Sequence, residues 1–166
     1  RLFARAGDLE GLQVVVSAGG TREPIDPVRF IGNRSSGKMG VAIAEAARDR
    51  GASVTLIAGV MSVTPPRGMT VVEATTAAAM RQAVLRAASG ADLLVMAAAV
   101  ADFAPKRASS RKIKRGGGDL QIDLVPNPDI IAEVGEMADG TRPFLIGFAA
   151  ESDDLEANAL SKLRDK

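Results

Sequence analysis

Short apolar runs rich in Val and Ile alternate along the chain with longer stretches of helical period. Leu12 to Ser17 (LQVVVS) predicts a buried strand, Gly37 to Arg50 an Ala-rich helix ended by Gly51, and Ala52 to Ala58 (ASVTLIA) a second strand. Val60 to Gly68 carries two prolines and reads as a loop. Met69 to Glu73 predicts a short strand and Thr75 to Ala88 a helix closed at Gly90. Asp92 to Ala99 (DLLVMAAA) is almost wholly apolar, the pattern of a strand in the middle of a parallel sheet covered on both faces. Arg107 to Asp119 is polar, basic and Gly-rich, which predicts a mobile loop. Leu120 to Leu124 alternates like an edge strand, Asp129 to Met137 is helical, Pro143 to Phe148 (PFLIGF) predicts another buried strand, and Asp153 to Lys166 a last helix. Repeated strand–helix alternation predicts an α/β fold: a doubly wound, mostly parallel Rossmann-like sheet with helices on both faces. Residues 1–11 read as a linker or domain edge and residues 12–166 as one nucleotide-binding domain. One more strand would be natural after the last helix, so the domain is expected to lack C-terminal strands.

Composition narrows the chemistry. The 166 residues contain no Cys, His, Trp or Tyr, which removes disulfides, zinc fingers and Cys/His nucleophile schemes. Absence of cysteine agrees with a cytoplasmic location. With 21 basic and 20 acidic residues the net charge is +1, so no domain-wide positive excess is available for bulk nucleic-acid binding, and basic residues must act locally. No apolar stretch reaches membrane-spanning length.

Ligands in such sheets sit outside the carboxyl ends of the strands. Four segments fall there: Ala18 to Asn33, Ala98 to Phe103, the basic loop with Lys112 and Lys114, and Phe148 to Ser152. The first runs through the Gly19-Gly20 turn and through Arg22, Arg29 and Asn33 into NRSSGKMG. There Ser35 and Ser36 can cap a helix, Gly37 lets the backbone approach a ligand, and first-turn N–H groups face outward. That combination suits a polyanion. Each piece also has a plain structural reading: a tight turn at Gly19-Gly20, a cap at Asn33 or Asp102, a solvated charge run in the basic loop, and dipole-complementing cations at Lys162 and Lys166. Gly32 to Lys38 satisfies most of a phosphate-loop pattern, but Met39 stands where a Ser or Thr should hold magnesium. The first turn is not G-x-G-x-x-G, the second strand ends in Ala58-Gly59 rather than an acid, and a reductase tyrosine is lacking. An NAD(P)-dependent oxidoreductase is therefore a weaker alternative, as is a non-catalytic nucleotide-sensing domain.

GGTREPIDPVRFIGNRSSGKMG, AAAVADF, KIKR, NPDII and GFAAES, in this order and at these separations, resemble the synthetase domain of bacterial phosphopantothenate-cysteine ligases. The resemblance runs from about Leu12 to Lys166. It implies that CTP activates the carboxylate of 4′-phosphopantothenate to an acyl-cytidylate with loss of pyrophosphate, and that the amine of L-cysteine then displaces CMP. By the same resemblance Lys112 stabilises charge during activation, Asn33 holds the acyl-cytidylate, and Arg29 and Ser35, with Ala99 close by, place the phosphopantothenate. Gly19, Gly20, Ser36, Gly37 and Lys38 belong to the CTP site, and Asp102 takes a nucleotide hydroxyl or base group. The turn of Asn127, Pro128, Asp129, Ile130 and Ile131 reads cytosine, with Phe148, Lys162 and Lys166 completing the site. Mg2+ is expected to travel with CTP rather than occupy a dedicated cage. FMN enters if a decarboxylase domain is fused upstream. The implied partners are the three small molecules, with no nucleic acid and no membrane, and the full-length protein is expected to be a homodimer or larger assembly.

Overall fold

The computed structural model describes residues 7–116, 118–138 and 140–148. In chain order these form β1 (Gln13–Ala18), β2 (Arg22–Pro24), β3 (Phe30–Gly32), α1 (Lys38–Asp49), β4 (Ser53–Ala58), β5 (Thr70–Glu73), α2 (Ala77–Ala88), β6 (Leu93–Met96), β7 (Phe103–Pro105), β8 (Leu124–Pro126), α3 (Ile130–Gly135) and β9 (Phe144–Gly147). Five strands make one sheet in the order β5-β4-β1-β6-β9, and every neighbouring pair is parallel. The strand order reverses at β1, which makes the sheet doubly wound and opens a crevice at the carboxyl ends of β1 and β6.

The two faces separate by the period of two that a strand imposes. Val14, Val16 and Ala18 pack with Val41, Ala44 and Ala47 of α1, whereas Val15 faces Met80 and Val84 of α2 and Ile130 and Val134 of α3. Coverage on both faces is why β1 reads as an unbroken apolar run. Small residues set the spacing of α1. A Cβ on Gly40 would lie 2.6 Å from the Cβ of Ala18, so the helix sits against β1 at a distance that larger side chains would not allow. Leu56, Met80 and Leu94 are wholly buried, each contributing on the order of 1.5–3 kcal/mol by removal from water.

Outside the central sheet lie two antiparallel hairpins, β2–β3 and β7–β8, of which the sequence pattern foretells little. Their strands are three residues long and carry Pro24, Pro105 and Pro126, which a two-stranded edge tolerates. The edge strand expected at Leu120 to Leu124 forms instead at Leu124–Pro126. Its register is fixed by pairing of Phe103 with Pro126 and Pro105 with Leu124 rather than by its own alternation. The strand expected to reach Ala99 ends at Met96, because the N–H of Ala98 turns to the Ser17 hydroxyl and Ala99 bridges to Gly20. The run from Pro143 to Phe148 forms a strand, but an edge one among the described residues: Phe144 is 71% exposed and Phe148 50%, where burial was expected. The helix expected from Asp153 to Lys166 lies outside the described residues.

Candidate active site

The chain leaves β1 through Gly19, whose φ of 86° is left-handed backbone; a Cβ there would stand 2.8 Å from the Val60 carbonyl oxygen. Gly20 then bridges in two directions, to Val60 beyond β4 and to Ala99 beyond β6. A Cβ on Gly20 would lie 2.8 Å from the Asn33 carbonyl oxygen and 3.5 Å from Cβ of Ser35. The glycine pair therefore does more than turn the chain: it lets three segments close on one point. Asn33 is fixed from the other side, its Nδ2 donating to the Val100 carbonyl at 2.9 Å, and this leaves its amide oxygen for a ligand. Gly20, Asn33, Ser35 and Val60 share a cavity of about 230 Å³ with Phe30 and Arg34. That volume is below the ordinary range for a whole drug-sized ligand, and it suits one end of a longer molecule.

Ser35, on the wall of this cavity, stands two residues before the N-cap of α1. Gly37 is the N-cap at φ 77°, with no side-chain cap and no acidic residue in the first turn, so the positive end of the helix is uncompensated. This corrects the capping role expected of Ser35 and Ser36. Both serines precede the N-cap, and their hydroxyls reach the N–H groups of Gly37 and Lys38 at only 3.3 and 3.4 Å. Ser36 holds the 60s loop instead, its carbonyl accepting from the Ser62 N–H at 3.1 Å. Lys38 is exposed at the first helical position.

The segment from Thr21 to Arg29 contains acidic and hydroxyl groups whose structural use the sequence leaves unmarked. Thr21 is buried and accepts from the Ala101 N–H at 2.9 Å. Glu23, also buried, accepts from the Ala77 N–H at 2.8 Å and so docks β2 onto the start of α2, where Thr76 caps Ala79. Asp26 is buried and takes five donors: the N–H groups of Val28 and Arg29 on one oxygen, and Nε and Nη2 of Arg29 with the N–H of Ile113 on the other. Burial pushes the Asp26 carboxyl up, but the backbone donors of Val28, Ile113 and Arg29 and the Arg29 guanidinium outweigh it and hold the group well below the usual carboxylate range. Arg29 spends its Nη2 on Asp26 and on the Ile113 carbonyl, both at 2.6 Å. The described residues of the basic loop form no helix or strand, and they are tied to the body at Ile113 and through the Ser109 N–H to the Ile25 carbonyl.

Asn33, Ser35, Ala99, Gly19, Gly20, Ser36 and Gly37 thus come together around the end of β1. Asp102 and Asn127 form an adjoining group, the N–H of Asn127 donating to the Asp102 carbonyl at 2.8 Å and its side chain to the Ala101 carbonyl at 2.7 Å. Asp129 serves as the N-cap of α3, accepting from Ile131 and Ala132. Lys112 is exposed, and its backbone neighbour is fixed against Arg29 rather than against Asn33. Lys162 and Lys166 lie outside the described residues. Among the described residues no three His, Cys, Asp or Glu side chains converge as a metal cluster. Asp102 is an exposed carboxylate at the crevice, a donor set that fits a magnesium ion carried mainly by phosphate oxygens and water.

Residues 9–166 match the family described as the DNA/pantothenate metabolism flavoprotein C-terminal domain. The chain belongs to this family. The coenzyme A biosynthesis bifunctional protein CoaBC of Haemophilus influenzae is 46% identical over 164 residues, covering 99% of this chain and 41% of that protein. A protein named cysteine/cysteine sulfinic acid decarboxylase, from an unknown prokaryotic organism, is 48% identical over 159 residues, 95% of this chain and 44% of its own length. The chain spans about two fifths of the length of these curated relatives. The crystal structure of the C-terminal domain of a coenzyme A biosynthesis bifunctional protein CoaBC superposes with a TM-score of 0.83 at 42% identity, over 95% of this chain and 74% of that one. The doubly wound fold is shared with it.

Proposed function

We propose that this chain catalyses CTP-dependent ligation of 4′-phosphopantothenate to L-cysteine through an acyl-cytidylate, yielding CMP, pyrophosphate and phosphopantothenoylcysteine. The observation that carries the proposal is the meeting of Asn33, Ser35 and Ala99 around Gly20 at the crevice of the sheet, with the N-cap of α1 two residues beyond Ser35. Membership in the family, and likeness to proteins named for coenzyme A biosynthesis, supply the substrates.

In this reading the α1 terminus with Ser36, Gly37 and Lys38 faces nucleotide phosphate, since outward N–H groups and the helix dipole favour an anion there. Phosphopantothenate lies across Ser35, Ala99 and the exposed edge of Arg29, whose side chain is 41% accessible. Its carboxylate attacks the α-phosphorus of CTP; a C(O)–O–P bond forms and pyrophosphate leaves. Lys112 stabilises the charge that develops at the phosphorus, a role that needs placement rather than a protein nucleophile. The amide oxygen of Asn33 holds the acyl-cytidylate while the cysteine amine attacks its carbonyl carbon, and CMP leaves with the bonding pair. Asp102 and the turn from Asn127 to Ile131 take the nucleoside. Phe148, Lys162 and Lys166 close the same site. Magnesium bound to CTP would neutralise the departing pyrophosphate. The reaction uses no flavin. We place it in the cytoplasm, in a homodimer or larger assembly of the full-length protein.

Incubation with CTP and 4′-phosphopantothenate in the absence of cysteine tests the order of steps. Pyrophosphate should appear in an amount close to that of enzyme sites, and added cysteine should then release CMP. Pyrophosphate that appears only with cysteine, or that fails to appear with CTP, would remove the proposal.

A further inference from the structure

Asp26 and Arg29 stand three residues apart on the turn between β2 and β3, and both reach the same residue, Ile113, of a loop more than eighty residues later. The Ile113 N–H donates to Asp26 at 3.1 Å and its carbonyl accepts from Arg29 at 2.6 Å, so the peptide planes before and after Ile113 are both held. Ile113 is half-buried, whereas Lys112 and Lys114 on either side are exposed. A three-glycine run comes next at Gly116 to Gly118. A loop of this composition has many conformations, and a lysine side chain with four rotatable bonds adds more. Fixing the backbone at Ile113 sets where the Lys112 side chain starts.

We infer that Asp26 is a positioning residue: with Arg29 as its second hand, it clamps the backbone at Ile113 so that Lys112 is presented to the reacting phosphate. The inference rests on the role proposed above for Lys112. A carboxylate is required for the clamp. Oδ2 of Asp26 receives three donors, two from the Arg29 guanidinium and one from Ile113, and an amide in the same place would have either to turn its NH₂ toward those donors or to turn it toward the N–H groups of Val28 and Arg29. Either orientation sets donor against donor in a buried site. Neither the glycine turn nor the α1 terminus is touched by this change, so nucleotide binding and loop placement can be separated.

Asp26→Asn in the intact protein is the test, with two readouts. Limited trypsin digestion, followed by mass spectrometry, reports cleavage after Arg111, Lys112, Lys114 and Arg115; freeing the loop should raise its rate about tenfold, since cleavage follows the population of the open form. Pyrophosphate release from CTP and 4′-phosphopantothenate should lose about tenfold to a hundredfold in kcat, as misplacement of a charge-stabilising group does, with KM for CTP changed less than about threefold. In a Lys112→Ala background the same substitution should cost little further, because the clamp acts through that lysine. Full additivity of the two losses, or loop cleavage at the wild-type rate, overturns the inference. Should Asp26→Asn not fold, Arg29→Gln keeps the backbone bonds to Asp26 and must open the loop to trypsin alone; unchanged cleavage there overturns it equally. Failure of the wild-type protein to release pyrophosphate would fault the CTP reading, and the trypsin result would still decide whether the clamp exists.

Discussion

At Asn33 a single hydrogen bond separates two roles. Its Nδ2 is committed to the Val100 carbonyl at 2.9 Å, so Asn33→Asp both loses a donor and sets a carboxylate against that carbonyl. Loss of the bond should cost about 1–3 kcal/mol of stability, measured by chemical denaturation. The added charge should spare activation and block transfer: acyl-cytidylate accumulates in quenched single-turnover samples and no amide forms. Equal loss of both half-reactions would return Asn33 to a purely structural part. Asp26 makes a prediction about pH. Its folded carboxyl titrates far below the unfolded one, so its contribution is complete above an unfolded value of about 3.9 and is lost as pH falls from there through the folded value. Asp26→Asn should therefore lower stability at neutral pH and flatten the acid limb of the stability curve below about pH 4, read by denaturant titration at a series of pH values. Neither role of Asp26 nor the helix docking by Glu23 is visible from the sequence, where both acids lie in a Pro-rich stretch and their partners are 87 and 54 residues away. A buried carboxylate on a turn looks like a solvated one until its long-range donors are known.

Glycine at the start of α1 matters at the scale of the element. The pattern from Gly37 to Arg50 foretells the helix to within a residue at each end, and its Ala-rich side is the side that meets β1. What the pattern misses is how the helix begins. Gly37 sits at φ 77°, and a Cβ there would come 2.5 Å from Cγ of Met61, a side chain in a loop that the sequence leaves unconnected to this site. Gly37→Ala should cost about 1–2 kcal/mol from left-handed backbone alone, with more from the clash. Combining it with Met61→Ala should recover the clash portion and leave the backbone portion. Thermal unfolding of the single and double variants checks this, and CTP affinity should track the backbone portion because the first-turn N–H groups re-aim with it. The two hairpins show a different limit of legibility. Strands of three residues with prolines in them have too few alternations to carry a period, so their pairing is decided by tertiary partners.

For the molecule as a whole, the order of strands explains why residues so scattered in sequence serve one crevice. β1 lies between β4 and β6, so the segments leaving these three strands all reach Gly20: Val60 after β4, Ala99 after β6, and Asn33 after β1 by way of the β2–β3 hairpin. Alternation of apolar strands and helices is enough to anticipate that convergence, because parallel doubly wound sheets place all such ends on one rim. Charge at the same scale sets a boundary on the ligand. The net charge is +1, while Lys106, Arg107, Arg111, Lys112, Lys114 and Arg115 crowd into a single loop, so the attraction for anions is local and short in reach. A mononucleotide spans that reach, whereas a longer polyanion meets a carboxylate such as Asp123 beyond it. CTP with magnesium at about 100 times its Kd should stabilise the protein by about 2.7 kcal/mol, seen as a rise in Tm. A short single-stranded oligonucleotide at the same phosphate concentration should leave Tm within about a degree, given how little counterion release a net charge of +1 allows. A matching rise with the oligonucleotide would mean that the basic loop binds polyanions without regard to the crevice, and the placement of CTP at the end of β1 would have to be abandoned.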